Sequence, residues 1–179
     1  RKLSQLMHGL DTLPCPTVCR VQGAAFGGAV GLAACCDIVV GSEKSKFCLS
    51  EVKIGLVPAV ISPYVQRAIG HRQMRRYALT AEVIDSLTAF NLGLVHQVVR
   101  HDALDDAVNN LLQILRGGSP KAQKIGKKMF AEVARDPDSP STREYTCRVV
   151  SELRVSAEGQ EGLASFFEKR RPAWTNDSD

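Results

Sequence analysis

The 179-residue sequence predicts an α/β protein, with strands and helices alternating over residues 1–101 and helices alone over residues 102–179. Short runs rich in β-branched residues, bounded by proline, glycine or acidic residues, predict strands at 17–22, 38–40, 47–49 and 94–99. A glycine-led segment separates the first two strands and predicts a helix at 28–36. Strands separated by helices are typical of a parallel sheet with helical cover, so the fold class is α/β.

Helix start and stop signals place the remaining elements. Ser62 and Pro63 resemble an N-cap followed by proline at the first helical position, and Gly70 closes that helix. Ser119 precedes Pro120 in the same way, while Ser141 and Glu144 have the spacing of a capping box. The predicted helices are 2–10, 62–69, 72–79, 86–92, 103–116, 120–135, 141–153 and 157–170.

The composition is that of a globular protein, with 44% apolar residues. None of the six cysteines has C-x-x-C spacing, and Cys35 and Cys36 are adjacent, which argues against both a zinc site and a disulfide framework. We therefore expect no bound metal, and reduced thiols in a cytoplasmic compartment.

Neither a membrane span nor a signal peptide is expected. The apolar stretch 23–36 is shorter than the roughly 20 residues that a span needs. The first residues are a polar, amphipathic mixture, unlike a secretory signal. The net charge of +4 is unevenly spread, with basic residues concentrated at 116–135 and 169–171. Such clusters are more often solvated helix faces than nucleic-acid sites.

The segment AAFGGAVGLAACCD (24–37) places glycines where a strand turns into a helix. Glycine lets the backbone approach a ligand, and the helix start presents unbonded N–H groups. The G-x-G-x-x-G, phosphate-loop and G-x-S-x-G patterns are all absent from the sequence, so dinucleotide binding and serine hydrolysis are not indicated. Two interpretations remain open on spacing alone: an oxyanion hole, or close packing of the helix at Gly27 and Gly31.

Four segments resemble the crotonase, or enoyl-CoA hydratase/isomerase, superfamily. They are VQGAAFGGAVGLAACCDIVV, FCLSEVKIGLVPAV, RRYALTAEVIDSLTAFNLGLVHQVV and EGLASFFEKRRPAW, which together extend over essentially the whole chain. The stretch EVKIGLVPAVISPYVQRAIG is most similar to bacterial 3-methylglutaconyl-CoA and isohexenylglutaconyl-CoA hydratases. The resemblance implies a spiral of ββα units with a helical C-terminal trimerisation region. It also implies a homotrimer or dimer of trimers that acts on acyl-CoA, with coenzyme A entering as part of the substrate and no separate cofactor.

The resemblance also assigns expected roles to four residues. Gly28 matches the middle glycine of the family's triplet, whose N–H is an oxyanion donor, and Ala29 replaces the third glycine. Glu51 matches the glutamate that exchanges a proton at the substrate α-carbon. Phe166 and Lys169 match C-terminal positions that reach coenzyme A, usually in a neighbouring subunit.

Two departures from the family pattern bear on the activity. Gly31 stands where many hydratases carry a first glutamate. The family domain also begins before residue 1, and that preceding part supplies the other oxyanion donor from an A-x-A-D-like loop. We expect a hydratase that adds water to an α,β-unsaturated acyl-CoA. A single-glutamate enoyl-CoA isomerase is the alternative, and an RNA-binding relative is a weaker one because no aromatic residues accompany the lysines at 121–128.

The other polar residues are expected to be structural. Asp37 follows the glycine-led helix and is expected to bind local N–H groups at the entry of the next strand. His8, His71, His96 and His101 are scattered, without carboxylate partners at useful spacing. Residues 57–64 are expected to border an acyl pocket.

Overall fold

The computed structural model describes residues 1–175. The helices are α1 (Lys2–Asp11), α2 (Gly28–Cys35), α3 (Ser62–Ile69), α4 (His71–Thr80), α5 (Ser86–Asn91), α6 (Leu104–Arg116), α7 (Pro120–Val133), α8 (Pro140–Arg154) and α9 (Ala157–Phe167). The strands are β1 (Val18–Val21), β2 (Ala24–Phe26), β3 (Ile38–Ser42), β4 (Lys46–Cys48), β5 (Ile84–Asp85) and β6 (Gln97–Val99). Short 3-10 turns occur at Glu51–Ile54, His101–Ala103 and Ala173–Thr175.

The chain divides into two compact units. The first contains Arg1–Leu13 and Thr17–Asn110, and the second contains Pro14–Pro16 and the described residues from Leu111 onward. The six strands of the described residues lie in the first unit, while the described part of the second is helical. The predicted helical region 102–179 includes residues 176–179, which lie outside the described part of the chain.

Two three-stranded sheets form the first unit. One has the order β1-β3-β6 with every pair parallel, and the other has the order β2-β4-β5 with only the β4–β5 pair antiparallel. The α/β prediction is confirmed, because strands and helices alternate along the first unit and most strand pairs are parallel. Helix α2 connects β2 of one sheet to β3 of the other, and further helices follow β4. The sequence prediction missed β2 and β5. Both are too short for a periodic signal, and Ala24 and Ala25 in β2 have low β-propensity.

The core of the first unit is apolar. Phe47, Leu49, Leu94 and Val65 are at most 1% exposed. Burial of this kind stabilises the fold by about 1.5 to 3 kcal/mol for each large side chain.

None of the six cysteines, all within residues 1–175, forms a disulfide. Cys35 packs against Met7, with its Sγ 3.7 Å from the Met7 Sδ, and burial raises the pKa of its thiol to about 11. A hydrogen bond with Cys36, together with burial, raises the pKa of the Cys19 thiol. Both thiols are therefore protonated at neutral pH, as expected of small packing residues rather than nucleophiles.

Asp37 connects the end of α2 to the start of β1. Its Oδ2 accepts hydrogen bonds from the Thr17 backbone N–H (2.7 Å) and the Thr17 hydroxyl (2.8 Å). In return, the Asp37 amide donates to the Thr17 Oγ1 over 2.9 Å. This reciprocal pair aligns β1 with β3, and it confirms the structural interpretation of Asp37.

The helix caps differ from the sequence prediction at two places. Ser62 is not the N-cap of α3: Ile61 is, and the Ser62 hydroxyl donates to the Ala59 carbonyl instead. The capping box predicted at Ser141 is also wrong, because α8 begins one residue earlier and is capped by Ser139. The prediction of Ser119 as the N-cap of α7 is confirmed, since its side chain accepts from the Ala122 amide over 3.0 Å. No helix within residues 1–175 is long and apolar enough to cross a membrane.

The two serines at the start of α8 provide a test of this correction. Ser139→Ala removes the hydroxyl that accepts from the Thr142 amide over 3.1 Å, so it should lower the free energy of unfolding by about 0.5 to 2 kcal/mol. Ser141→Ala should change it by less than about 0.5 kcal/mol. Urea denaturation of the two variants checks this. An equal or larger loss for Ser141→Ala would contradict the assignment of the cap to Ser139.

Candidate active site

A glycine in a left-handed conformation forms the turn between β2 and α2. Gly27 has φ +56°, a region that glycine adopts without the steric cost that a Cβ imposes. Its amide donates to the Cys48 carbonyl over 2.8 Å. Since β2 and β4 pair in parallel with Phe26 opposite Cys48, this bond continues the ladder by one residue and fixes the turn on the end of β4.

Gly28 is the first residue of α2, and its backbone is exposed. The first N–H groups of a helix lack partners within the helix. The amide of Val30 donates to the Gly27 carbonyl over 3.0 Å, whereas the amide of Gly28 makes no hydrogen bond within residues 1–175. The Gly28 N–H is therefore available at the positive end of the helix dipole, where negative charge is stabilised.

Glu51 follows β4 and begins the Glu51–Ile54 turn. A Cβ atom added at Gly27 would lie 3.3 Å from Glu51 Oε1 and 3.7 Å from its Cδ. The carboxylate thus lies directly beside Gly27, the residue that precedes the unbonded amide of Gly28. The structure brings these two sequence-predicted site residues into one neighbourhood.

One oxygen of this carboxylate is buried without a partner. Among the residues of 1–175 that are not exposed, Glu51 Oε2 is the only buried side-chain nitrogen or oxygen that makes no hydrogen bond. Leaving a buried acceptor unpaired costs about 1 to 3 kcal/mol, and more when the group is charged. Such a group in a folded protein calls for an explanation, and a proton or hydrogen-bond donor on a bound ligand provides one.

Gly31 lies one helical turn after Gly28 and is closed off by Ile61. A Cβ added at Gly31 would lie 2.2 Å from Ile61 Cγ2, 2.6 Å from Ile61 Cβ and 3.2 Å from Met7 Cε. Ile61 is itself 2% exposed, at the start of α3. A neighbouring isoleucine therefore fills the space at position 31, where the sequence lacks a first glutamate, so the packing interpretation applies at Gly31.

Sequence reasoning missed Ser50. Its Oγ would lie 3.8 Å from a Cβ added at Gly27, so it faces the same point as the Glu51 carboxylate. The residue is half-buried, and it precedes the Glu51–Ile54 turn. A single serine beside a glutamate matches no motif. The one signal in the sequence that could have found it is its position next to Glu51.

Exposed apolar side chains occur on the segments that carry the glycine turn and Glu51. Phe26 is 46% exposed, and Ile54, Leu56 and Val57 are between 58% and 74% exposed. Apolar exposure concentrated in this way is typical of a surface that binds a ligand or another chain segment.

Phe166 and Lys169 lie in the second unit, at the end of α9. Phe166 is 77% exposed and makes an edge-to-face contact with Phe167, with ring centroids 5.7 Å apart. Lys169 ends the helix in a left-handed conformation, with φ +53°. Both residues are exposed.

An ion pair holds the segment that follows Lys169. Arg170 donates to both carboxylate oxygens of Glu161, at 2.6 and 2.8 Å, and the Ala173 amide donates to the same carboxylate. These hydrogen bonds lower the pKa of Glu161 to about 2, and those from Arg170 have the largest effect. The C-terminal turn is thus fixed to α9.

The histidines do not gather into a site. His96 Nδ1 accepts a hydrogen bond from the Val39 amide over 3.0 Å, and His101 Nε2 lies 3.1 Å from the Gln22 side-chain amide. In the described part of the chain, no cluster of three or more histidine, cysteine or acidic side chains is arranged to hold a metal ion.

Sequence and fold both resemble those of known proteins. The sequence model of the enoyl-CoA hydratase/isomerase family matches residues 1–177. The enoyl-CoA hydratase AKT6-1 of Alternaria alternata is 36% identical over 94% of this chain and 57% of its own length. The crystal structure of an enoyl-CoA hydratase from Shewanella pealeana has a TM-score of 0.92 and 47% identity, covering 97% of this chain and 64% of that one. A putative enoyl-CoA hydratase/isomerase (crotonase) from Legionella pneumophila matches with a TM-score of 0.92 and 44% identity, over 96% and 66% of the two chains.

These matches define the architecture as a crotonase fold, as the resemblance implied. The chain belongs to the enoyl-CoA hydratase/isomerase family. It spans little more than half the length of the curated Alternaria hydratase and about two thirds of the two solved structures.

The contact between Gly31 and Ile61 can be tested by a double-mutant cycle. Gly31→Ala should lower the free energy of unfolding by about 1 to 3 kcal/mol, because the new methyl overlaps the Ile61 side chain. In an Ile61→Gly background, which removes both overlapping atoms, the same substitution should cost much less. Urea denaturation of the four proteins gives the coupling energy. Strict additivity would show that the two residues do not compete for one space.

Proposed function

We propose that the protein is an enoyl-CoA hydratase that adds water to an α,β-unsaturated acyl-CoA. The observation that carries the proposal is the unpaired, buried Oε2 of Glu51 beside the turn that presents the Gly28 amide. An amide donor and a carboxylate in one neighbourhood are what the reaction needs. One stabilises charge on the thioester oxygen, and the other transfers protons at the adjacent carbons.

In the proposed reaction, the thioester oxygen accepts a hydrogen bond from the Gly28 N–H. The oxygen of water bonds to the β-carbon while the π electrons of the double bond move toward the thioester oxygen as an enolate. Glu51 takes one proton from the water and then gives it to the α-carbon, so that H and OH are added across the double bond. A donor at the oxyanion is worth about 3 to 4 kcal/mol of transition-state stabilisation.

The remaining roles follow the family resemblance. Coenzyme A enters as part of the substrate, and Phe166 and Lys169 contact it from a neighbouring subunit of a homotrimer or dimer of trimers. Their exposure at the end of α9 supports such a position. The apolar residues 54, 56 and 57 border the acyl group. The acyl group itself is of the methylglutaconyl type, and the enzyme is cytoplasmic.

A double-bond isomerase is the second candidate, and the closed position at Gly31 favours it. With Ile61 against Gly31, only one glutamate serves the site, and moving a double bond from the 3- to the 2-position requires one proton carrier and no water. Incubating the full-length protein with a 2-enoyl-CoA and a 3-enoyl-CoA separates the two activities. A hydratase converts the first into a 3-hydroxyacyl-CoA, and failure to form that product would reject hydration.

Glu51→Gln tests the proposed proton carrier. The substitution retains the size of the side chain but removes its basicity, so kcat should fall by at least about 100-fold. The dissociation constant for a saturated acyl-CoA should change less than about threefold. Steady-state kinetics and calorimetry of the full-length protein check this.

Glu43→Gln is the matched control for this experiment, because Glu43 is exposed and its carboxylate makes no hydrogen bond or ion pair within residues 1–175. Glu43→Gln should leave both kcat and the dissociation constant for the saturated acyl-CoA unchanged. Equal kcat values for Glu51→Gln and the wild type would remove Glu51 from its role.

A further inference from the structure

In water addition with a single glutamate, only one of the two hydrogens of the water has a hydrogen-bond acceptor on the protein. The attacking molecule has two O–H bonds, and Glu51 accepts only one of them. Unless the second is also held, the water rotates freely and its lone pair is not aimed at the β-carbon. Position 31 offers no partner, since Ile61 fills the space that a side chain there would need.

The hydroxyl of Ser50 lies near the same point as the Glu51 carboxylate. Ser50 Oγ and Glu51 Oε1 are 3.8 and 3.3 Å from one point, the position of a Cβ added at Gly27. Glycine at position 27 leaves that point empty. Two oxygen atoms from consecutive residues therefore converge on a small space beside the turn that presents the Gly28 amide.

The Ser50 side chain has no structural task within residues 1–175. It does not cap the turn that follows, because the bond from the Lys53 amide goes to the Ser50 backbone carbonyl. By contrast, the other serines of the first unit, apart from the exposed Ser4, donate their hydroxyls to backbone carbonyls. Ser42 donates to Gln22, Ser45 to Val21, Ser62 to Ala59 and Ser86 to Glu43. Ser50 thus differs from these four serines, because its hydroxyl makes no hydrogen bond within residues 1–175.

We propose that the Ser50 hydroxyl positions the reacting water, in a role that rests on the hydratase function proposed above. Ser50 Oγ accepts a hydrogen bond from the O–H that is retained, while the other O–H points to Glu51. The water oxygen forms the bond to the β-carbon, Glu51 carries the released proton to the α-carbon, and the retained O–H becomes the product hydroxyl. Ser50 itself neither gains nor loses a proton.

The role predicts that Ser50 affects water addition but not proton transfer at the α-carbon. Two rates of the full-length protein separate these steps. The first is hydration of the 2-enoyl-CoA on which the wild type is fastest, taken from a panel with straight, branched and carboxylated acyl groups. The second is exchange of the α-protons of the corresponding saturated acyl-CoA with D2O, followed by NMR, which needs Glu51 and the oxyanion donor but no bound water as reactant.

Ser50→Ala should lower the hydration rate by about 10- to 100-fold and change the exchange rate by less than about twofold. Ser50→Thr, which keeps a hydroxyl, should retain more hydration than Ser50→Ala. Ser151→Ala, at an exposed serine of α8 that bonds only the Cys147 carbonyl of its own helix, is the control and should change neither rate.

Each other outcome overturns the assignment. An unchanged hydration rate in Ser50→Ala would show that the hydroxyl does not hold the water. Parallel losses of hydration and exchange would show that Ser50 only shapes the loop around Glu51. A wild type that exchanges α-protons but hydrates no member of the panel would instead reject the hydratase function, and the role of Ser50 with it.

Discussion

The hydrogen bond from the Gly27 amide to the Cys48 carbonyl is the constraint on which the candidate site depends. It joins the end of β2 to the end of β4, so the turn before α2 and the turn after β4 are set against each other. The first turn presents the Gly28 amide, and the second carries Ser50 and Glu51. Glycine suits position 27 because the backbone there is left-handed and because a Cβ would lie 3.3 Å from Glu51 Oε1.

Two glycines one turn apart on α2 have different surroundings. The helix start meets solvent at Gly28, while Gly31, one turn later, is pressed against Ile61 and Met7 in the core. Packing at Gly31 brings α3 close to α2, and the same closeness excludes a second acid from the site. The close packing at Gly31 therefore leaves Ser50 and Glu51, in the turn after β4, as the side-chain oxygens beside Gly27.

Much of the fold was predictable because its signals are local. The strands β1, β3 and β4 and the helices from α3 onward have periodic patterns or glycine and proline boundaries, and Asp37 had the chemistry of a strand-entry ligand. The cap of α8 was misplaced because residues 137–141 contain two serines, Ser139 and Ser141, and sequence spacing does not say at which of them the helix begins. Ser50 was missed for a different reason: its position beside Gly27 arises from β2–β4 pairing, which is nonlocal, and β2 itself gave no signal.

The orphaned Glu51 oxygen links folding to binding. The chain folds although this acceptor loses its water and gains no protein partner, at a cost of about 1 to 3 kcal/mol. A bound molecule that donates a hydrogen to this oxygen recovers that free energy, so part of the affinity for such a molecule is already stored in the unliganded fold. A side chain without a buried acceptor would avoid this cost, so the carboxylate lowers the stability of the unliganded fold.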